Sequence, residues 1–164
     1  MEFKEFEIQS LFYKAKVNSL PYKAKELPKT PNAEFSLPAL TAGIENQGLS
    51  CYVPRAKATV LSNCISVSAN GANTGAMFYQ SNDFTVLQDS YALLPIETMS
   101  AHAMLYCISA MQYVIRGNYD WSNKAGWERI KTLNITLPTS DGINPDYAYM
   151  EQYISKLEQE RISE

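Results

Sequence analysis

The sequence predicts an α+β domain: a small curved β-sheet or open barrel with a packed helix, followed by a C-terminal helix of coiled-coil character. Three observations carry that expectation. Short β-prone runs separated by turn residues fill the chain from Phe35 to Val86. The apolar period switches to helical spacing after Thr98. A second helical pattern opens at Asn144-Pro145-Asp146 and closes the chain.

With 164 residues, 46% of them apolar, the chain can bury a core and suits one domain plus one appended element. The expected division is residues 1–143 as the domain and 144–164 as the helix. No apolar run reaches the roughly 18 residues a membrane span needs, and no membrane association is expected. The N-terminus carries acids where a signal peptide has a basic region. Cys51, Cys64 and Cys107 are odd in number and widely spaced, which reads as reduced thiols in a cytoplasmic protein. The net charge of −3 conceals a polarity. Lys14, Lys16, Lys23, Lys25 and Lys29 are opposed locally by Glu26, whereas Glu151, Glu158, Glu160 and Glu164 dominate the other end.

Taken in order, Phe3 to Phe12 alternates loosely and fits a strand or a short helix. Pro21, Pro28 and Pro31 exclude long regular structure from the lysine-bearing segment, which reads as an exposed connection. Phe35–Leu40, Cys51–Val53 and Thr59–Leu61 are short strand candidates. Ile65 and Val67 then lead through the turn Asn70-Gly71-Ala72-Asn73-Thr74-Gly75 into Met77-Phe78-Tyr79, a hairpin signal because Asn-Gly suits positive φ. A third run, Phe84-Thr85-Val86, follows a second turn. Thr98 or Ser100 can cap a helix whose stripe is Met104, Ile108, Met111 and Ile115, stopped by Gly117. Ser122 or Asn123 can cap a short helix, and Leu133, Ile135 and Leu137 alternate as a strand ending at Pro138. For the last helix, Asn144 is the expected cap and Pro145 its first residue, with Tyr147, Met150, Ile154 and Leu157 along an a/d seam. So short a helix must pack on its own domain or on another chain.

The residues offer no catalytic constellation. His102, the only histidine, lacks a nucleophile signature and reads as structural. Zinc fails on ligand count and spacing, and neither a phosphate-binding loop nor a dinucleotide fingerprint is present, so no metal or cofactor is expected. Recognition remains. The polar loop offers short side chains and exposed amides, and Asn70, Asn73 and Gln80 carry the donor–acceptor pair that suits adenine. Tyr79 and Lys124 can add stacking and phosphate contact.

The order of these segments resembles a known family. Residues 65–93, ISVSANGANTGAMFYQSNDFTVLQDSYAL, resemble the central signature of target recognition domains in restriction–modification specificity subunits, Type I and Type IIB-like. Trp127-Glu128-Arg129-Ile130-Lys131 with Ile135-Thr136-Leu137-Pro138 resembles that family's I-x-L-P segment, and Phe6–Phe12 its entry segment. The helix after Pro145 is similar to the conserved helix that follows each recognition domain. The wording Asn123–Trp127 is closer to Type IIB and IIG-like modules.

The resemblance implies a non-catalytic chain that recognises double-stranded DNA and directs methyltransferase and restriction subunits. It implies base readout by Asn70, Asn73, Thr74, Tyr79, Gln80, Asn123 and Lys124, with Lys14, Lys16, Lys23 and Lys25 on phosphates. Full specificity subunits carry two recognition domains and two helices, whereas one of each is found here. The expected state is therefore a half-subunit or a fragment, homodimerising through Tyr147, Met150, Ile154 and Leu157 on an interrupted palindrome. Two alternatives remain: the C-terminal recognition domain of a single-chain Type IIG-like enzyme, and a small-ligand or carbohydrate-binding β module. A large apolar pocket without a basic rim would mark the latter.

Overall fold

Helix α1, Ala101–Ile115, lies against one face of the central sheet and fixes where the core sits. The computed structural model describes residues 1–163. Glu164, the last of the acidic C-terminal residues, lies outside the described residues. Ser100 caps α1 as expected, its hydroxyl accepting from Ala103 N–H at 3.1 Å, which satisfies one otherwise unpartnered amide. The buried face is Ala103, Met104, Cys107, Met111 and Ile115. Gly117 turns the chain at φ +81.

The α+β class holds, but the strands form three small sheets rather than one curved sheet. Strands β1 (Glu2–Glu7) and β9 (Asn134–Thr139) make an antiparallel ribbon. Strands β2 (Phe12–Lys14), β5 (Cys64–Ser68), β6 (Met77–Gln80) and β8 (Ser90–Pro95) form an antiparallel sheet in the order β2-β8-β5-β6. In the third, β3 (Leu37–Leu40) pairs antiparallel with β4 (Leu49–Val53) and parallel with β7 (Thr85–Val86). Alternation places Ile65 and Val67 of β5 with Tyr91 and Leu93 of β8 in the core under α1. Cys64 and Ala92 point the other way, into a second cluster with Leu40, Phe84 and Val86. Every residue of β5 is consequently buried.

Several sequence expectations are corrected. The hairpin forms, with Val67 opposite Met77 and Cys64 opposite Gln80. The third run, however, leaves that sheet to pair with β3. Thr59–Leu61 is not a strand and contributes an isolated bridge between Leu61 and Phe84. Strand β8, which has no alternation because both its faces meet apolar clusters, went unforeseen although it joins β2 to β5. The short helix α2 is Trp127–Ile130, capped by Gly126 and not by Ser122 or Asn123. Asp146, not Asn144, caps α3 (Tyr147–Ile162), its carboxylate accepting from Tyr149 N–H at 2.9 Å. The carboxylate of Asp141 accepts from the amides of Ile143 and Asn144, and the Asp146 amide that a cap at Asn144 would serve donates to Pro138 C=O at 2.8 Å.

Helix α3 folds back on its own domain. Met150 is fully buried and Tyr147 packs against the same core. Tyr153 meets Tyr106 edge-on at 5.7 Å, and His102 Nε2 lies 2.9 Å from Glu158, giving the lone histidine a structural partner. Ile154 is half-buried, Leu157 is 46% exposed and Ile162 85% exposed, so the stripe divides into an inward half and an outward half. Met150→Ala is expected to lower stability by about 2–5 kcal/mol, and Leu157→Ala by about 0.5 kcal/mol or less. Urea unfolding of both variants checks this; equal small losses would mean that α3 is not anchored.

Candidate nucleic-acid interface

Four of the five lysines gathered by sequence also gather in space, Lys29 being outside the groove. Lys14, Lys16, Lys23 and Lys25 line one groove of about 1080 Å³, whose opposite wall is Val86–Tyr91. Lys14 ends strand β2, Lys16 and Lys23 lie on the proline-punctuated irregular chain of residues 15–36, and Lys25 sits in its one turn at Ala24–Glu26. The Lys14 ammonium lies 5.5 Å from the centre of the Tyr91 ring, a cation–π position. Asp89 is the acid on the groove wall, and its carboxylate accepts from the Asn70 side chain at 2.9 Å. That bond attaches the hairpin loop to the groove.

Residues 70–75 and the turn at residues 118–126 form one polar surface. Ala125 N–H donates to the Thr74 hydroxyl at 2.8 Å, and Ala125 C=O accepts from the Tyr91 hydroxyl at 2.8 Å. Burial, and secondarily Tyr119, push the Tyr91 pKa up, so the phenol remains a donor. Gly75 sits at φ +89, and a Cβ there would come within 2.5 Å of Ile115 Cγ2 and 3.2 Å of Ala125 Cβ. Gln112, on the last turn of α1, donates from Nε2 to Gly75 C=O at 2.6 Å and accepts from Met77 N–H at 3.3 Å through Oε1. Since β6 is the sheet's edge, this side chain supplies partners that no neighbouring strand offers. Asp120 accepts from the Ser122 hydroxyl and from the amides of Ser122 and Asn123, and these bonds hold its carboxyl below the usual range.

The candidate readers therefore have different standing. Asn73 and Lys124 are exposed on this surface, and Lys124 has no ion-pair partner among the described residues. Asn70 and Thr74 spend their side chains on Asp89 and Ala125, and Asn123 on Arg129 and Asn118. Tyr79 and Gln80 lie at the opposite end of the hairpin from the loop. Tyr79 donates to Asn63 at 3.1 Å, and Gln80 donates to Ser66 at 3.1 Å and to Gln47 C=O at 3.3 Å. Sequence reasoning missed Gln112 and Tyr91. Gln112 has a visible signal, an amide inside an otherwise apolar helical run, whereas Tyr91 has none. The cysteines are all buried thiols, with desolvation raising Cys64 to about 11 and Cys107 to about 12.

The basic groove and the polar turns are joined through the Asn70–Asp89 and Thr74–Ala125 bonds. The chain belongs to the family of the Type I restriction modification DNA specificity domain, whose model matches residues 1–164. It is 23% identical over 161 residues to the Type II restriction enzyme BgcI specificity subunit S.BcgI of Heyndrickxia coagulans. That match covers 96% of this chain and 44% of the relative, so the chain spans less than half the relative's length. Among solved structures, the S subunit of a Type I restriction–modification system from M. genitalium superposes with a TM-score of 0.65 at 16% identity. The alignment covers 98% of this chain and 42% of that one. The HsdS subunit from Thermoanaerobacter tengcongensis gives a TM-score of 0.61 at 10% identity, covering 98% and 38%. At these identities the structures establish a shared fold.

Gln112→Ala strands two backbone groups at the base of the polar loop. Stability is expected to fall by about 1–3 kcal/mol, with faster amide exchange at Met77. Unchanged exchange there would mean that water replaces the side chain without loss.

Proposed function

We propose that this chain is the DNA target-recognition unit of a restriction–modification specificity subunit and performs no catalysis itself. The observation that carries the reading is the convergence of four lysines on one groove bordered by the residue 70–75 loop. Lysines at such a groove neutralise phosphates and release counterions, a contribution to affinity that is independent of sequence. Discrimination among bases falls to the polar turns, chiefly Asn73 and Lys124, whose side chains remain exposed. The lysine-lined groove favours DNA over a small ligand, whereas the groove of about 610 Å³ between α3 and α1, whose lining carries no lysine or arginine, is the feature a small-ligand reading would use.

Residues 1–143 act in this reading as the recognition domain and 144–164 as the docking helix, in the cytoplasm. The helix pairs with a second copy or docks the methyltransferase and restriction subunits. Two copies related by a two-fold axis would read an interrupted palindrome. Of the four residues first assigned to that contact, Met150 and Tyr147 are committed to the domain's own core. The exposed part of the contact is Leu157 beside Tyr153, along a groove of about 610 Å³ between α3 and α1. Light scattering at tens of micromolar is expected to give the mass of a dimer; a monomer would leave docking to other subunits.

Replacing Lys14, Lys16, Lys23 or Lys25 singly by Ala is expected to weaken binding to all duplexes alike. Each change should lower the salt slope by about one unit. Binding isotherms across a salt series measure this. Slopes equal to that of the parent protein would place the phosphate contacts elsewhere.

A further inference from the structure

One exposed side chain on the polar surface is a large aromatic. Trp121 is 73% exposed on the turn between Asp120 and Asn123. An indole is among the largest apolar surfaces a residue can carry, and leaving it in water forgoes the burial that usually holds tryptophan in a core. The sequence has two tryptophans, and the other, Trp127, packs against the main core.

The turn that carries Trp121 is rigid. Asp120 and Asn123 exchange both backbone hydrogen bonds, at 3.0 and 3.1 Å. The Asp120 carboxylate accepts from the Ser122 amide at 2.9 Å and the Ser122 hydroxyl at 2.6 Å. Asn123 Nδ2 reaches Asn118 C=O at 3.2 Å, and Arg129 donates to Asn123 Oδ1 and to Lys124 C=O. The bonds fix the backbone from which the indole projects, so the turn itself loses little freedom when Trp121 enters a contact.

Its surroundings identify the partner. The turn is continuous with Lys124 and, through Ala125, is bonded to Thr74 of the polar loop. That loop is bonded through Asn70 to Asp89 on the lysine-lined groove. The apolar groove of α1 and α3 is lined by other aromatics, Tyr106, Tyr113 and Tyr153. We propose that Trp121 is a DNA-contacting, specificity-determining residue: its indole enters a groove of the duplex and packs on base edges or wedges against a base step. Apolar side chains read a thymine methyl or unstack a flexible step in this way, so the contact favours some sequences without a hydrogen-bond code. The inference rests on the DNA-recognition reading and adds to it a residue that contributes no charge.

The test uses the full chain carrying Trp127→Phe, with native circular dichroism confirmed, so that Trp121 is the sole indole. The protein is titrated at low salt with a pool of mixed-sequence duplexes and with duplexes selected from that pool. The proposal expects quenching or a shift of Trp121 emission, saturating with binding. It further expects Trp121→Ala, in the otherwise native chain, to weaken binding to selected duplexes about tenfold, in the range known for base–aromatic contacts. The salt slope should be unchanged, and Trp121→Phe should retain most of the affinity. Tight duplex binding with unaltered emission and a neutral Trp121→Ala overturns the proposal and leaves DNA recognition standing. Emission that responds to methyltransferase subunits without DNA overturns it in favour of a protein contact. Absence of duplex binding by the native chain, with or without those subunits, overturns the recognition reading and this proposal together.

Discussion

The two hydrogen bonds at Ala125 are the constraint on which the candidate recognition surface depends. Its amide is held by Thr74 on the hairpin loop and its carbonyl by Tyr91 on β8, each at 2.8 Å, in a position of zero exposure. Thr74 and Tyr91 lie 51 and 34 positions from Ala125, so the joint ties together segments distant in sequence. Buried backbone groups left unpartnered cost more than a formed bond contributes. The arrangement is therefore close to all-or-none: the turn docks with both bonds made or leaves two polar groups buried without partners. Gly75 completes the joint because only a residue without a Cβ lets Ile115 approach the loop this closely.

The net charge of −3 does not describe the groove, which four lysines line with Asp89 as the acid on its wall. Charge is locally segregated: four lysines of strand β2 and the chain that follows it line one groove, while Glu151, Glu158 and Glu160 are exposed on α3. The salt bridges Arg55–Asp83 and Lys131–Glu128 are exposed or partly so and contribute little to stability. The lysines are left to act at long range, where attraction to phosphate is strongest at low salt. Rigidity at the turns then matters for selectivity, because a polar group aimed in advance pays less entropy on contact.

Much of this was legible in the sequence, for identifiable reasons. Helix α1 was readable because its cap, its stripe and its glycine stop agree. The β5–β6 hairpin was readable because Asn-Gly lies between β-prone runs. The order of segments pointed to the family that the whole-chain match establishes. Strand β8 was not readable, since burial on both faces erases alternation. The cap of α3 shifted because the Asp146 amide, which a cap at Asn144 would have to satisfy, donates to Pro138 C=O at 2.8 Å instead. Clustering of the lysines in space followed from their closeness in sequence. The roles of Asn70, Thr74 and Asn123 as struts did not, because a polar side chain in a loop looks the same whether it reads or supports. Gln80 and Tyr79 were grouped with the loop by sequence adjacency, but strand geometry carries them to the other end of the hairpin, about 10 Å away at roughly 3.4 Å per residue.

The central claim is that one face, running from the lysine groove across the residue 70–75 loop to the residue 118–126 turn, meets duplex DNA. Amide chemical-shift mapping during titration with a selected duplex tests it most directly. The account predicts perturbations concentrated at residues 14–25, 70–75 and 118–126, with α3 and the Gln80 end of the hairpin largely unmoved. Perturbations confined to the α1–α3 face, with those three segments silent, would contradict it.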